Sequence, residues 1–543
     1  MNTVLLVQNN NAFSWHTSDY LHVKGYLFDR NDRYYEGSEL LEYFSGITSF
    51  ADMDERVSFS NGCFSVVYQN ESELFIACDS IRSFPLFYKN LNGSWIVSDD
   101  PYALLSKDKS DEPNETAWHE FLAAGYVTGN ETLVNGIKQV QSGELLRLKK
   151  DDSKNRFFYS YRTIQTSDKD YEELRSEGIE VFNRTFGRFV KSLNGKTVVV
   201  PLSGGFDSRL IAVMLKRMGY TNVVCITYGR PDNPEIRISR KVSEILGFRW
   251  ICIEHTEELI QGFVHDTFFN DYYPYASKFV SMFFLQEYFA LRYLKGMQMI
   301  PDDSIFVPGH SGDFLGGSHL GKYGNLLESE SLQEISRRIF FNMYGFVRPK
   351  GRVKEKLLER IERSLQEKFT GETDYAYSIQ EDWDFKEKLA KFNTNSIASY
   401  TFFGYGFRLP FWDTELTSFF RKLPLHVKVN KYLYDDILTN EYFESAGVNF
   451  KEELQVTEKV MKRQRFKNRI KYFLPQYFLR MFLTRLDDLY YNEITRELIS
   501  SGGHEAGKIK IYNNSFNSLI IQWYLERLKA DIFSEDLKQN PGK

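Results

Sequence analysis

A buried strand that runs directly into a glycine- and serine-rich turn constrains this chain more than any other feature. The apolar run 198–200 is followed by Pro201-Leu202 and then by Ser203-Gly204-Gly205-Phe206-Asp207-Ser208, where helical periodicity begins. Glycines let a backbone approach an anion closely, and the first amides of a helix carry partial positive charge. The pattern predicts a strand, a phosphate-binding loop and a helix. An ordinary Ser/Gly-rich turn after a strand is the alternative.

Asp207 is unexpected in an anion-binding loop unless a divalent cation lies beside it. A carboxylate next to bound phosphates commonly shares Mg²⁺ with a nucleotide. The loop lacks both the Gly-Lys-Ser/Thr of the Walker type and the third glycine of the dinucleotide fingerprint. It resembles the SGGxDS loop of the ATP pyrophosphatases. The resemblance implies that ATP is split between its α and β phosphates and that AMP is transferred to an oxygen of the substrate.

Length and composition limit the class of protein. A chain of 543 residues is too long for one hydrophobic core, so we expect about two to four domains. The formal net charge is −5 and 26% of the residues are charged, so a general nucleic-acid-binding surface is not expected. A small molecule or another protein is the expected partner, and a homodimer is left open.

The apolar segments predict neither a signal peptide nor a transmembrane helix. The first residues lack a basic region followed by a long apolar stretch, and no run approaches the roughly 20 apolar residues that span a bilayer. We therefore expect a cytoplasmic protein. The cysteines are widely spaced in apolar runs, which predicts small core residues and neither a zinc site nor a redox pair; they are Cys63, Cys78, Cys225 and Cys252.

Strands and helices alternate after the first loop. Residues 222–229 form a second apolar strand, residues 235–247 have helical periodicity ending in glycine, and residues 249–253 form a third strand. This order predicts a doubly wound parallel sheet with ligands at the carboxyl ends of its strands. Thr227 and Tyr228 would then lie beside the loop, next to an adenine or a ribose.

A second glycine-rich turn follows another strand. The apolar residues 304–307 lead into Pro308-Gly309-His310-Ser311-Gly312-Asp313-Phe314-Leu315-Gly316-Gly317. Asp207 and Asp313 would face one another as hard oxygen ligands for Mg²⁺. Taken alone, Asp313 would more often be a turn former or a helix cap, but the loop 203–208 upstream in the same predicted sheet favours the metal ligand.

The second turn resembles the GxGSDE-x-FGG segment of glutamine-dependent asparagine synthetases and their relatives, the β-lactam synthetases and lasso-peptide cyclases. A third segment, Arg408-Leu409-Pro410-Phe411-Trp412-Asp413, with Leu423-Pro424, Lys428, Lys431 and Leu433 after it, resembles the family's RxPFxD…LP…K…K..L stretch. Residues such as Gly62-Cys63-Phe64, Asp79 and Pro85-Leu86 resemble the family's glutaminase domain. The resemblance covers roughly residues 55 to 440.

The resemblance implies an α/β architecture. Residues 1–165 would form a degenerate glutaminase-like αββα sandwich of the Ntn type. Residues 170–470 would form an ATP-pyrophosphatase domain with a doubly wound parallel sheet, similar to the adenine nucleotide α-hydrolases, and residues 471–543 a helical extension.

The amino terminus departs from the family. The family's glutaminase uses a cysteine as the first residue after methionine removal, and this position is Asn2 here. An amide cannot act as the nucleophile, and no cysteine lies near this end. We therefore expect no glutamine hydrolysis, so that free ammonia or a substrate amine would be the nucleophile.

The acceptor side also departs from the family. His310 stands where the amidating enzymes carry a glutamate, and its imidazole could deprotonate an attacking amine. A histidine hydrogen-bonded within a tight turn is the alternative. Phe314 replaces an acidic residue, which predicts a more apolar acceptor pocket.

The family also places a lysine over the α phosphate. Its spacing points to Lys451, or to Lys459 if the loop is longer, although either could be a solvated surface charge. The basic run 459–471 could touch acidic lipid or an acidic substrate, or it could be a charged helix face above a core.

Together these features predict an asparagine synthase-like ligase that forms an acyl-adenylate with ATP and Mg²⁺ and then an amide. Asn2, His310 and Phe314 argue against asparagine biosynthesis itself. The alternatives are a lactam-forming cyclase of a peptide or specialised metabolite and a non-catalytic nucleotide-binding protein. The expected nucleotide-binding residues are Leu202, Ser203, Gly204, Gly205, Asp207, Ser208, Thr227, Tyr228 and Gly309; the expected catalytic residues are His310, Lys451 and Lys459; the expected metal ligands are Asp207 and Asp313.

Overall fold

The computed structural model describes residues 3–7, 12–106, 110–150, 152–164, 167–231, 233–322, 331–366, 375–450, 487–501 and 516–533. Its strands are β1 (Thr3–Leu6), β2 (His16–Thr17), β3 (Leu21–Phe28), β4 (Tyr34–Glu36), β5 (Asn61–Gln69), β6 (Leu74–Cys78), β7 (Phe87–Leu91), β8 (Ser94–Ser98), β9 (Lys138–Gln139), β10 (Glu144–Leu148), β11 (Ser153–Phe157), β12 (Val198–Pro201), β13 (Val223–Gly229), β14 (Arg249–Glu254), β15 (Ile305–Phe306) and β16 (Gly406–Phe407).

The α-helices are α1 (Glu39–Tyr43), α2 (Phe50–Ser58), α3 (Glu115–Ala124), α4 (Tyr171–Lys191), α5 (Phe206–Arg217), α6 (Pro234–Leu246), α7 (Glu257–Ile260), α8 (Thr267–Ser277), α9 (Tyr288–Gly296), α10 (Gly312–Leu315), α11 (Leu332–Met343), α12 (Gly351–Gln366), α13 (Ala376–Trp383), α14 (Ile397–Phe402), α15 (Thr414–Lys422), α16 (Leu425–Lys428), α17 (Tyr432–Asp436), α18 (Tyr491–Ser501) and α19 (Phe516–Ile532). The segments Asp384–Asn393 and Ile437–Phe443 are π-helical.

The amino-terminal part is a sandwich of a larger and a smaller β-sheet. The larger sheet has the strand order β11-β10-β6-β5-β3-β2, with β4 beside β3, and the smaller has the order β1-β8-β7-β9. Val66 of β5 packs with Leu40 of α1 and Val57 of α2. Its neighbour Val67 packs with Val97 of the smaller sheet. Strand β5 is therefore a continuous apolar run because each of its faces is covered.

The second part contains the parallel sheet that the sequence predicts. Its strand order is β14-β13-β12-β15-β16, and every neighbouring pair is parallel. Val198, Val199 and Val200 are fully buried. Helix α6 begins after the Asn233 cap and ends at Gly247, whose φ of 71° favours glycine. These elements confirm the α/β class.

The carboxyl-terminal helices pack onto the rest of the chain. Tyr524 of α19 is fully buried, and its ring lies 5.6 Å from that of Phe121 in α3. Trp523 packs against Tyr273 and Phe283. The described part of the predicted tail is therefore helical, as expected. None of the helices in the described ranges combines the length and the apolarity needed to cross a membrane.

Arg408 of the third motif joins the two parts of the molecule. It follows β16, is 2% exposed, and donates to Glu36 Oε1 (2.9 Å), the Tyr34 hydroxyl (2.6 Å) and the Ser192 carbonyl oxygen (3.1 Å). Its guanidinium lies 4.1 Å from the centroid of the Tyr26 ring. The motif's arginine therefore serves the interface with the sandwich, since these partners replace the water that a buried charge loses.

We expect Arg408→Leu to lower the free energy of unfolding by on the order of 3 kcal/mol, because it leaves the acceptors of a buried guanidinium unpaired. Urea denaturation measures the change. Arg240→Leu is the matched control, since Arg240 and its partner Glu244 are both exposed, and we expect less than about 1 kcal/mol there. Equal effects of the two substitutions would contradict the interface role.

Candidate functional site

A cleft of ≈ 1190 Å³ opens at the carboxyl edge of the parallel sheet, over the ends of β12, β13 and β15. It brings together the predicted site residues that the structure describes. These are Leu202, Ser203, Gly204, Gly205, Asp207, Ser208, Thr227, Tyr228, Gly309, His310 and Asp313. Lys451, Lys459 and the basic run 459–471 lie outside the described residues.

The first loop is closed by its own serines. The Ser208 hydroxyl accepts from the Ser203 amide (3.2 Å), and the two hydroxyls lie 3.2 Å apart. The Ser203 hydroxyl also accepts from the Gly205 amide (3.2 Å). Gly205 caps α5 without a side-chain hydrogen bond, and residues 203–208 line the cleft, so the start of this helix lies at the cleft wall. The loop can therefore hold an anion.

The second loop touches the first at a glycine. A Cβ atom at Gly309 would lie 2.6 Å from the Ser208 amide nitrogen and 3.0 Å from its Cα. At Gly312 it would lie 2.8 Å from Asp207 Cγ and closer still to the Tyr434 hydroxyl. Side chains are excluded at both positions because backbone and functional groups occupy the space. The glycines are thus required for the two loops to meet.

Asp207 is the centre of this contact. Its Oδ2 accepts from the Asp313 amide (2.9 Å) and its Oδ1 from the Tyr434 hydroxyl (2.7 Å). Burial, and secondarily the negative charge of Asp313, raises the pKa of Asp207 to about 7, against the lowering effect of the Tyr434 hydrogen bond. A nearby cation would stabilise the ionised form of this carboxylate.

The donor set fits a hard divalent cation whose shell is completed by other ligands. Asp207 is half-buried and Asp313 is exposed, so the Asp313 carboxylate faces the cleft solvent. The described residues contain no group of three or more His, Cys, Asp or Glu placed to hold a metal. Mg²⁺ usually takes one or two carboxylates and fills its octahedron with water and phosphate oxygens. The carboxylates of Asp207 and Asp313 are ligands of the type that such a Mg²⁺ site uses.

His310 is half-buried at the wall of the cleft. Its Nε2 lies 3.3 Å from the Ser396 hydroxyl, and its Nδ1 has no hydrogen-bond partner among the described residues. Burial lowers the pKa of His310 to about 4. The ring is therefore neutral at pH 7 and a weaker base than ordinary imidazole.

Thr227 and Tyr228, at the carboxyl end of β13, were expected to lie next to an adenine or a ribose, but their hydroxyls bind other groups of the protein. The Thr227 hydroxyl donates to the Leu202 carbonyl (2.8 Å) and lies 2.6 Å from Ser239 Oγ, so it ties the strand to its neighbours. The Tyr228 hydroxyl donates to Glu287 Oε1 (3.3 Å). Burial raises the pKa of Glu287 to about 7, although the Tyr400 and Tyr228 hydroxyls oppose the shift. Glu287 also lines the cleft.

Lys431 places a positive charge on the opposite wall. Its ammonium pairs with Asp435 (3.0 Å) and lies 5.6 Å from the centroid of the Phe206 ring. Asn430 and Lys431 have φ angles of 57° and 61°, an uncommon conformation for two consecutive side chains. Strained backbone of this kind is frequent where a side chain must be aimed at a functional site.

The sequence predicted a more apolar acceptor pocket because Phe314 replaces an acidic residue. Phe314 does not line the cleft. It is 1% exposed and packs against Tyr161, His319 and Phe385, whereas its neighbour Asp313 lines the cleft. The short helix α10 turns the two consecutive side chains in different directions. The phenylalanine thus anchors the loop from below.

Sequence reasoning missed Tyr434, Glu287 and Asp435. Tyr434 is 227 residues from Asp207, and the third motif places Lys431 one helical turn before it. That spacing was the available signal, since residues three apart on a helix share a face. Glu287 follows the apolar segment 279–285 and carries no comparable signal.

A family described as a glutamine amidotransferase domain matches residues 49–159. No curated protein matches the chain. An NH₃-dependent NAD synthetase of Campylobacter jejuni is 16% identical over 38% of this chain and 99% of its own, with a TM-score of 0.19. An NMN synthetase of Francisella tularensis is 12% identical over 37% and 96%, with a TM-score of 0.19. The glutamine phosphoribosylpyrophosphate amidotransferase of B. subtilis is 10% identical over 55% and 63%, with a TM-score of 0.17.

We expect Gly309→Ala to destabilise the protein by about 1–3 kcal/mol, because its methyl group must displace the Ser208 backbone. Gly187→Ala is the control: a Cβ there meets nothing within 4 Å and lies inside α4, so the same change should stabilise by up to about 1 kcal/mol. Thermal unfolding compares the two. Tolerance of alanine at Gly309 would contradict the close approach of the loops.

Proposed function

We propose that this chain is an ATP-dependent carboxylate–amine ligase. In the first step a substrate carboxylate oxygen attacks the α phosphorus of ATP and pyrophosphate leaves. In the second step ammonia or an amine attacks the acyl carbon, AMP leaves, and the amine loses a proton. The main support for this proposal is the contact between the two glycine-rich loops that follow the adjacent strands β12 and β15. This contact places Asp207 and Asp313 at one cleft.

The first loop would bind and orient phosphate. The hydroxyls of Ser203 and Ser208 and the first amides of α5 would be the donors, while the Ser203 and Gly205 amides keep the loop closed. Lys431 would neutralise negative charge from the opposite wall. Most of the rate increase would come from holding the reactants together and from fixed charges around the phosphates. We also propose that either Lys451 or Lys459 is the lysine that lies at the α phosphate.

Asp207 and Asp313 would hold Mg²⁺. When bound, the cation would stabilise the charge that develops on the departing pyrophosphate. The raised pKa of Asp207 supports this role because the carboxylate lacks a full positive partner among its described contacts. Tyr434 would fix the orientation of the carboxylate through its hydrogen bond.

Two groups could take the proton of the attacking amine. His310 lines the cleft with an unpaired Nδ1, but its pKa of about 4 makes it a weak base. Glu287 lines the same cleft with a pKa of about 7, which suits a base near neutral pH. We therefore propose Glu287 as the stronger base and His310 as a neutral hydrogen-bonding group of the acceptor side.

We propose that ammonia or an amine, and not glutamine, is the nitrogen source. Burial raises the pKa of Cys78 and Cys225 to about 12 and raises that of Cys63 and Cys252 above the ordinary thiol value. A thiolate nucleophile is therefore scarce at neutral pH among the cysteines of this chain. The division into residues 1–165, 170–470 and 471–543 is kept as part of this proposal.

The test is conversion of ATP to AMP and pyrophosphate with Mg²⁺ and a panel of carboxylates, with ammonia or glutamine as nitrogen source. We expect AMP with ammonia or an amine and none with glutamine alone. Asp207→Asn and Asp313→Asn should each lower the rate by at least about 100-fold, because each removes a metal ligand. Asp303→Asn, at an exposed turn outside the cleft, is the control. Formation of ADP, or ATP binding without AMP formation, would contradict the proposal.

The pKa of Asp207 predicts a pH-dependent affinity for Mg²⁺. Below about pH 7 the carboxyl group is protonated and cannot bind the cation, so the apparent affinity should fall up to about tenfold per pH unit. Tyr434→Phe removes a hydrogen bond that lowers this pKa and should move the midpoint up by about one unit. Mg²⁺ titration of pyrophosphate exchange at pH 6, 7 and 8 measures both effects.

Tyr432→Phe is the matched control, because Tyr432 lies on the same helix with its side chain 60% exposed. An unchanged midpoint in Tyr434→Phe would show that the hydrogen bond to Asp207 does not tune the metal site.

A further inference from the structure

A small cavity lies between the sandwich and the parallel-sheet part, apart from the cleft. Its volume is ≈ 50 Å³, several times the 10–15 Å³ that one water molecule needs. Lys24, Arg82 and Asp99 reach it from the sandwich, and Lys278 and Thr394 reach it from the other side. The cavity is therefore an interface site with charged walls.

Two buried donors in its wall lack hydrogen-bond partners among the described residues. Arg82 is 5% exposed and its Nε is unpaired; Thr394 is 1% exposed and its hydroxyl is unpaired. The φ of Arg82 is 59°, an uncommon backbone conformation for a residue other than glycine. An unpaired buried donor costs about 1–3 kcal/mol, so two in one cavity indicate a missing acceptor.

The charges around the cavity point to an anion as that acceptor. Lys24 pairs with the Asp99 carboxylate (3.3 Å), which also accepts from Trp15 (2.8 Å). The hydrogen bond of Lys278 goes to the Asp99 carbonyl oxygen (2.8 Å), which is not a charged acceptor. Burial lowers the pKa of Lys278 to about 8, with Lys24 and Arg82 adding to the shift against Asp99 and Asp100.

Two further carboxylates, Asp79 and Glu387, lie behind Arg82 and act on its charge, but neither lines the cavity. Asp79 accepts from the amides of Phe64 and Ile81 and from Ser83. Glu387 pairs with Lys391 (2.6 Å). Three cations thus line the cavity with one carboxylate, and the unpaired groups are donors. A water molecule could accept from Arg82 and Thr394 but would give Lys278 no charged acceptor, whereas an anion can accept from all three groups.

We propose that this cavity binds one small monovalent anion, such as chloride, held by Arg82, Lys278 and Thr394 between the two parts of the molecule. The anion joins a cation of the sandwich to Lys278, which directly follows α8, and to Thr394, which precedes α14. Its binding stabilises the docked arrangement by mass action, since the undocked parts lack the complete site.

The first test is thermal unfolding of the full chain at constant ionic strength, with sodium bromide or chloride replacing sodium gluconate. We expect the midpoint to rise by at least about 2 °C in either halide. Lys278→Gln should remove the difference between halide and gluconate. Lys216→Gln, at an exposed site on α5, should retain it.

The second test is a crystal structure of the wild-type chain grown in bromide. Anomalous density between Arg82 and Lys278 is the expected result and does not depend on the variants folding. Water alone in the cavity, or equal unfolding midpoints in bromide and gluconate, would overturn the proposal. Neither experiment involves ATP, so its failure leaves the proposed ligase activity unaffected.

Discussion

The contact between the two glycine-rich loops is the constraint on which the site depends. Strands β12 and β15 are parallel neighbours, so the loops that follow them leave the sheet at the same edge. Gly309 lets the second loop lie against the Ser208 backbone, and the Asp313 amide then reaches Asp207. Neither carboxylate could be placed this way by local structure alone. The sheet makes the two loops neighbours, and Gly309 lets their backbones come into contact.

This contact also determines the electrostatics of the cleft. Burial, and after it the negative charge of Asp313, disfavours the charged form of Asp207 and raises its pKa to about 7. The Tyr434 hydrogen bond only partly offsets that cost. Lys431 lies nearby, but its ammonium is shared with Asp435. Among the described residues that line the cleft, acidic side chains therefore outnumber cationic ones.

Local signals predicted the strand, loop and helix around Asp207, because apolar runs, turn glycines and helical periodicity are all read over a few residues. Contacts between distant segments were not accessible in the same way. Tyr434 reaches Asp207 over 227 residues, and Arg408 reaches Glu36 over 372. The sequence also did not show that Phe314 faces the core, because a one-residue rotation on a short helix decides whether a side chain faces the cleft or the core. The sequence motifs therefore identified the side chains near the cleft, whereas tertiary packing determines which groups those side chains contact.

The sandwich supports the site through a continuous series of contacts. Glu36 holds Arg408, which directly follows β16; β16 pairs with β15, and β15 leads into the loop that carries Asp313. A sheet edge of only two paired residues would be weak by itself, since short strands contribute few ladder hydrogen bonds. Anchoring Arg408 to the sandwich fixes that edge in position. The sandwich therefore has a structural role that does not require a nucleophile of its own, because the geometry of the second loop depends on where β16 is held.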